Sequence, residues 1–349
     1  MKVIIATVQA PFVMGGAEFL AANLKMALVN AGHDAEIVAL PFVDEPVHLI
    51  EKHVVIARLT EILYTAAGYS DLCIGLKFPA YFVPHPNKVC WVLHQHRKAY
   101  DLYDTPISNM PHSHEGLSAR KMVVNADNLY LPEAKRIYTI AKNVSFRMKK
   151  FNGIDSDALY HPCPDMDKFY CSDYEDYILM PSRINVTKRQ MLALEALCYT
   201  KRNVKLYFVG KADHEHEKRV LTDFVAERKL HKKVRFFDFV THEEKIKLYA
   251  NAKAVLFIPM DEDYGYITLE AMASSKAVIT ASDSGGPLEF VETDKTGIVC
   301  NPSPRSIAEA IDQIYSSRDM YRKLGVAGKE KLESMNITWD RVVRELTKV

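Results

Sequence analysis

The stretch YILMPSRINVTKRQMLALEALCYTKRNVKLYFVG, residues 177–210, decides how the chain folds. An apolar run, YILMP, gives way to polar residues, then to apolar residues at helical spacing near 189–199, then to a second run, VKLYFVG. Strand, helix and strand in so short a span make a βαβ unit, because two parallel strands need a crossover between them. Both runs are apolar at successive positions, the mark of strands covered by helices on both faces.

The same rhythm extends in both directions. Towards the C-terminus come a helix near 214–229, VRFFDF (234–239), a helix near 242–251, AVLFIP (254–259), a helix beginning at about Ile267, AVITAS (277–282) and GIVCNP (297–302). Towards the N-terminus stand VIIATV (3–8), the amphipathic EFLAANLKMALVNAG (18–32), EIVAL (36–40), DLCIGL (71–76) and KVCWVL (88–93). YHPCPDMDKFYCSDYEDY (160–177) interrupts with two prolines and many acids. The chain of 349 residues is longer than one core comfortably fills, so two α/β halves are expected.

Composition narrows the function classes. The formal net charge of +1, from 45 Lys+Arg against 44 Asp+Glu, argues against a dedicated nucleic-acid binder. Six cysteines, at 73, 90, 163, 171, 198 and 300, form no CxxC pair, as expected of reduced thiols in a cytoplasmic protein. The opening Met1-Lys-Val-Ile-Ile-Ala reads as a strand and not as a secretory leader, and no apolar run is long enough to span a bilayer. The basic segment 118–151 presents either a solvated helical face or a peripheral membrane contact, at the inner face of the cell membrane.

Ligands of parallel sheets gather at the carboxyl ends of the strands, so chemistry is sought there. Gly15 and Gly16 precede the first helix and let backbone approach an anion, though a tight turn without a ligand needs the same pair. After YILMP, Arg183 and Lys188 offer a fork and a point charge suited to a diphosphate. After AVLFIP, the segment EDYGYITLE (262–270) turns at Gly265 into a helix. The amides of Tyr266 and Ile267 there face outward for phosphate oxygens. Glu262 and Glu270 flank that anion site at different heights; carboxylates repel phosphate but accept hydrogen bonds from hydroxyls, which suggests a sugar at either end of a diphosphate. SGGPLE (284–289) offers a second backbone cradle nearby.

Taken in order, SRINVTK, LYFVGK, EDYGYITLEAMA and SDSGGPLEFVETDKTGIV, with GGAEFLAANLKMALVNAGHDAEIV in the first half, resemble glycosyltransferase family 4. The resemblance covers nearly the whole chain and implies the GT-B fold: two Rossmann-like parallel-sheet α/β domains facing each other across a cleft. Residues 1–170 are then the acceptor-side domain, joined by a C-terminal helix at 338–349, and 171–337 the donor domain. It implies a retaining hexosyltransferase that takes a UDP- or GDP-sugar to a saccharide or lipid-linked acceptor, in polysaccharide or glycoconjugate synthesis, with no metal and no other cofactor. Arg183 and Lys188 would neutralise the diphosphate, Glu262 hold the transferred sugar, Glu270 the ribose, and Gly15 and Gly16 close on the phosphates. His94 matches the active-site histidine, with His96 as the fallback. Arg97, Tyr100 and Tyr103, in the loop beyond, are candidate acceptor contacts alongside His96.

The chain departs from the family at Ser182, where glycine usually precedes the arginine, at Ser275 and Ala277, and at Asp238, near the expected nucleotide base. Rival readings remain. Asp261-Glu262-Asp263 is a D-x-D, and the histidine pairs 94/96, 112/114 and 214/216 invite a metal. A nucleotide-sugar binding module without transfer, or a sugar-nucleotide epimerase of the same fold, would keep the same cations. An NAD-dependent oxidoreductase is disfavoured because neither half carries GxGxxG.

Overall fold

The structure is a computed structural model that describes residues 1–12, 15–111 and 113–348. Contacts divide the chain into two units, Met1–Pro164 with Thr338–Val349, and Asp165–Ile337.

Unit 1 runs β1 (Lys2–Gln9), α1 (Gly16–Asn30), β2 (Asp34–Pro41), α2 (Leu49–Leu59), a small hairpin of β3 (Tyr64–Thr65) and β4 (Gly68–Tyr69), β5 (Leu72–Gly75), β6 (Lys88–Val92), α3 (His114–Tyr130), β7 (Arg136–Thr139), α4 (Lys142–Asn152) and β8 (Asp157–Ala158). Its main sheet has the order β2-β1-β5-β6-β7-β8, parallel throughout, with Ile4 level with Glu36 on one side and Cys73 on the other. Six successive residues of β1 and all of β5 and β6 are buried, as strands covered on both faces must be. Leu20, Ala21, Leu24 and Leu28 form the buried stripe of α1 at three-and-four spacing.

Unit 2 repeats the plan with β9 (Ile178–Pro181), α5 (Gln190–Leu197), β10 (Leu206–Val209), α6 (Glu215–Glu227), β11 (Val234–Phe237), α7 (His242–Asn251), β12 (Ala254–Leu256), α8 (Tyr266–Ala273), β13 (Ala277–Ala281), β14 (Gly297–Cys300), α9 (Pro304–Ser316) and α10 (Arg318–Ser334). The strand order is β11-β10-β9-β12-β13-β14. The chain therefore travels outward from β9 through β10 and β11, then returns to lay β12 on the other side of β9. That reversal makes a switch point at the carboxyl ends of β9 and β12, where diverging loops leave room for a ligand. Unit 1 has its own reversal between β1 and β5.

The last helix, α11 (Trp339–Leu346), belongs to unit 1. Trp339 stacks on buried His161 at 5.9 Å and meets Trp91 edge-on at 6.3 Å, which fastens α11 to that sheet. The division falls at 164/165 and not at 170/171. Phe169 packs edge-on against Tyr249 (5.5 Å) and His242 (6.4 Å) of α7, so residues 165–170 go with the second core.

At the end of β10 the two strands flanking the site pass unusually close. Gly210 has φ +145°, and a Cβ there would stand 2.2 Å from the carbonyl oxygen of Ser182. Gly210→Ala is expected to lower the unfolding free energy by about 1–3 kcal/mol, the usual scale for a strained backbone site. A shift in the urea midpoint measures it, and an unchanged midpoint contradicts the packing described.

Candidate functional site

The site in unit 2 is assembled from the loops after β9, β10, β12 and β13. Following β9, Asn185 caps a short turn: its Oδ1 accepts from the Lys188 amide at 3.1 Å and from Thr187 Oγ1 at 2.8 Å. Its Nδ2 donates to Asp213 Oδ2 at 2.9 Å, and Asp213 Oδ1 accepts from Arg183 Nη1 at 2.9 Å. Asparagine suits this place because one amide can accept from backbone and donate to a carboxylate at once. Arg183 is thereby tied through one guanidinium nitrogen, while 64% of its side chain stays exposed.

Across the switch point, the loop after β12 is zipped to the loop after β13. Asp261 N donates to Asp283 O, Glu262 N to Ser284 O, and Gly286 N to Glu262 O, at 2.8 to 2.9 Å. Met260 N donates to Thr187 O at 2.8 Å, which joins the same loop to the turn of Lys188. Arg189 forks onto both oxygens of Asp283 at 2.7 and 2.6 Å and locks the third side. Held this way, Lys188 forms an ion pair with Glu262, both side chains mostly buried, and its ammonium lies 5.6 Å from the Phe257 ring centre.

Gly265 begins α8 with φ +87°, where a Cβ would press on Phe257 at 2.9 Å and on Pro287 at 3.2 Å. Only glycine turns the chain there, and Tyr266 and Ile267 become the first residues of the helix. Their amides are in the outward-facing first turn, where the helix macrodipole favours negative charge. Gly286 is equally constrained, since a Cβ would come within 2.7 Å of Asp263 O. Glu270, one turn further, is buried; Lys245 Nζ donates to its Oε1 at 2.7 Å and Tyr249 OH to its Oε2 at 2.6 Å.

The structure therefore brings Lys188, Glu262, Gly265, Tyr266 and Ile267 to one loop cluster, ties Arg183 to it through Asp213 and Asn185, and sets Glu270 against α7. Sequence reasoning missed Asn185, Arg189, Asp213, Lys245, Tyr249 and Asp283. Lys245 and Tyr249 are four apart and so share one face of α7. Their spacing was legible; that this face meets α8 was not. Beside the site, Lys218 pairs with Asp238 on the wall of a cavity of about 710 Å³, which Lys211, Arg219 and Phe239 also line.

In unit 1, Gly15 caps α1 and Gly16 is its first residue; the Gly15 amide already donates to Glu18 Oε2 at 2.8 Å. His94 follows β6, half-buried, with Nδ1 2.7 Å from the carbonyl oxygen of Gln95. A carbonyl only accepts, so Nδ1 carries a proton, and in the neutral ring Nε2 is then the acceptor nitrogen. His96 is only 7% exposed, packed between Phe42 and Phe78, and burial depresses its pKa to about 4. Tyr100 is 6% exposed and donates to Asp127 Oδ2 at 2.6 Å. Both rings are buried within unit 1, where the loop after β6 folds back on its own core. Arg97 is held by Asp101 at 2.6 Å, and Tyr103 lies under the Arg120 guanidinium at 3.6 Å, each partly exposed.

The metal reading is not met by a cluster. Among the described residues no group of three or more His, Cys, Asp or Glu is placed to hold an ion. Glu262 of the D-x-D faces Lys188, and His112 lies outside the described residues.

Comparison with known proteins now bears on this geometry. Residues 167–331 match the family described as glycosyl transferases group 1. Unit 2 belongs to that family. The matched span of this glycosyl transferase unit contains every loop of the site built above. Alpha-1,3/1,6-mannosyltransferase ALG2 of Homo sapiens is 29% identical over 203 residues, covering 54% of this chain and 47% of that protein. The chain spans about a third to a half of the length of the curated relatives it matches. Among solved structures, sucrose-phosphate synthase from Thermosynechococcus elongatus superposes with a TM-score of 0.80 at 16% identity, covering 99% of this chain and 96% of that one. Anabaena HepE in complex with UDP-glucose gives 0.74 at 16% identity, covering 100% and 98%. These likenesses establish the fold, two parallel-sheet Rossmann-like domains of the GT-B type.

Unit 1 carries a pH dependence of its own. Burial depresses His161 to about 3 and His96 to about 4, so between those values and 6.5 the unfolded chain binds the protons and the folded one does not. The stability these neutral histidines contribute is full above pH 6.5 and is lost as pH falls. At pH 5 the loss reaches about 2 kcal/mol for each. Asp127, which burial raises to about 6, acts oppositely and returns about 1 kcal/mol over the same descent. Urea titrations at pH 7.5 and 5 are expected to show the net loss, and His96→Phe to reduce it; an unchanged pH slope in that variant counts against the assignment.

Proposed function

We propose that the chain is a retaining, metal-independent hexosyltransferase that moves a sugar from a nucleoside diphosphate sugar to a hydroxyl of a saccharide or lipid-linked saccharide. The observation that carries the reading is the Lys188–Glu262 pair at the switch point, beside the Gly265 turn and the amides of α8. The relatives support it in kind: one is named a mannosyltransferase, another an O-antigen biosynthesis glycosyltransferase, and HepE was solved with UDP-glucose.

The diphosphate is the leaving group, and negative charge grows on it as the anomeric bond breaks. Arg183, Lys188 and the α8 amides stabilise that charge, each well-placed donor contributing on the order of ~3 kcal/mol. An ammonium has three donors, so Lys188 holds Glu262 with one and meets phosphate with another. Glu262, oriented by Lys188, accepts from hydroxyls of the transferred sugar, and Glu270 from the ribose diol, where Lys245 and Tyr249 keep its carboxylate aligned. The acceptor hydroxyl attacks from the face the diphosphate leaves, passes its proton to the departing phosphate oxygen, and the configuration is retained. Glu262 is no nucleophile here; the retaining two-carboxylate scheme needs a pair about 5–5.5 Å apart across one bond. His94 takes the role of the active-site histidine. The cavity beside Lys218 and Asp238 receives the nucleotide base, and that ion pair takes part in choosing between uracil and guanine. Protein groups meet every charge in this scheme, so no metal is required of it.

Peripheral attachment to the membrane also fits α4, which exposes Lys142, Phe146, Lys149 and Lys150 along one face. No helix among the described residues is long and apolar enough to cross a membrane.

Glu262→Gln is expected to keep nucleotide-diphosphate binding while cutting transfer by about 10²-fold or more, with wild-type turnover unaffected by EDTA. Thermal shift against UDP, GDP and their sugars reads the binding arm and names the donor. Near-normal transfer by the variant removes Glu262 from the reaction; loss of turnover on chelation restores the metal. In sedimentation with anionic vesicles, the full chain is expected to bind in a salt-sensitive way that Phe146→Ala with Lys149→Ala weakens, and absence of binding retires the membrane face.

A further inference from the structure

Below the loop that carries His94 lies a polar network that none of the roles above uses. Asp127, on α3, is fully buried, and its carboxylate accepts from Tyr81 OH at 2.9 Å, Tyr100 OH at 2.6 Å and Gln95 Nε2 at 3.0 Å. Gln95 also donates to Asn152 Oδ1 at 2.8 Å, and Asn152 Nδ2 to Tyr100 OH at 3.2 Å. The groups holding the carboxylate are all neutral. A carboxylate kept in the core without a cation costs stability that an apolar residue would not, and such costs gather where geometry has to be held.

What the network holds is Gln95. Its side chain is clamped to α3 and α4, and its carbonyl oxygen receives the Nδ1 proton of His94 at 2.7 Å. We propose that Asp127 is a positioning residue for His94, acting through Gln95: the buried carboxylate fixes the peptide whose carbonyl sets the tautomer and direction of the imidazole. The chain of contacts runs from Asp127 through the Gln95 amide group and backbone to the His94 ring. Loosening its first link lets the peptide turn, and the imidazole then samples both tautomers.

The proposal rests on the transferase reading for its catalytic consequence, but not for its first readout. With ¹⁵N-labelled histidine, the His94 signals, assigned by their loss in His94→Asn, are expected to report the Nδ1–H tautomer in the free protein. Asp127→Asn and Gln95→Met are both expected to give a tautomer mixture, so one variant that fails to fold leaves the other decisive. In the transfer assay kcat should fall by about tenfold or more while donor affinity stays within about twofold, the pattern of a group acting on the chemical step. The exchange Asp127→Asn with Gln95→Glu restores a donor–acceptor pair in reverse and should recover most of both signals. An unchanged His94 tautomer in the single variants overturns the proposal. So does a kcat loss that the exchange leaves unrelieved, since that is the mark of a damaged scaffold. Absence of transfer by the wild type with any donor overturns the function proposed above and leaves the tautomer result to decide this inference.

Discussion

Three backbone hydrogen bonds between the loops after β12 and β13 hold the site of unit 2 in place. Asp261, Glu262 and Gly286 each donate or accept across that seam, and neither loop has a regular sheet to keep it there. With the seam closed, the Glu262 carboxylate meets the Lys188 ammonium, Gly286 comes under the Asp263 carbonyl, and Gly265 turns the chain into α8. Without it, both loops would have to be ordered by the ligand, at a cost of about 1–2 kcal/mol of backbone entropy per residue. The glycines at 265 and 286 follow from the same closeness: no side chain fits where two backbones touch.

The ion pairs around this seam share a pattern. Lys188 with Glu262, Arg183 with Asp213, Arg189 with Asp283 and Lys245 with Glu270 each set a cation from one loop or helix against an acid from another. Exposed pairs add little to stability, and buried ones lose most of their attraction to desolvation. Their value is geometric, since each cation enters the site with its stem already oriented. Unit 1 solves the corresponding problem with neutral donors around one buried acid, Asp127, and with glutamine where unit 2 uses lysine or arginine.

Much of this was legible beforehand. The alternation of apolar runs and helical spacing revealed two parallel-sheet halves, and residues after strand ends named Lys188, Glu262 and Gly265 from local chemistry alone. That His96 and Tyr100 are buried was not legible, for a physical reason. Histidine and tyrosine each have an apolar body and a polar tip, so a loop rich in them looks identical whether the rings face solvent or the core. Here Phe42, Phe78 and Asp127, distant in sequence, draw them inward. Residues 165–170 were placed in the wrong half because the partners of Phe169 lie more than seventy residues further on.

By itself, then, the sequence determined the elements, their parallel arrangement and the turns that only glycine permits, because periodicity and φ preference are properties of neighbouring residues. Tertiary structure decided which cation meets which acid, that Glu270 faces α7, and that Asp127 sits beneath His94. Such pairings depend on which strand ends the sheet order brings together. In unit 2 the order β11-β10-β9-β12-β13-β14 places the end of β12 beside that of β9, joining positions 188 and 262 across a stretch of chain in which no local rule relates them.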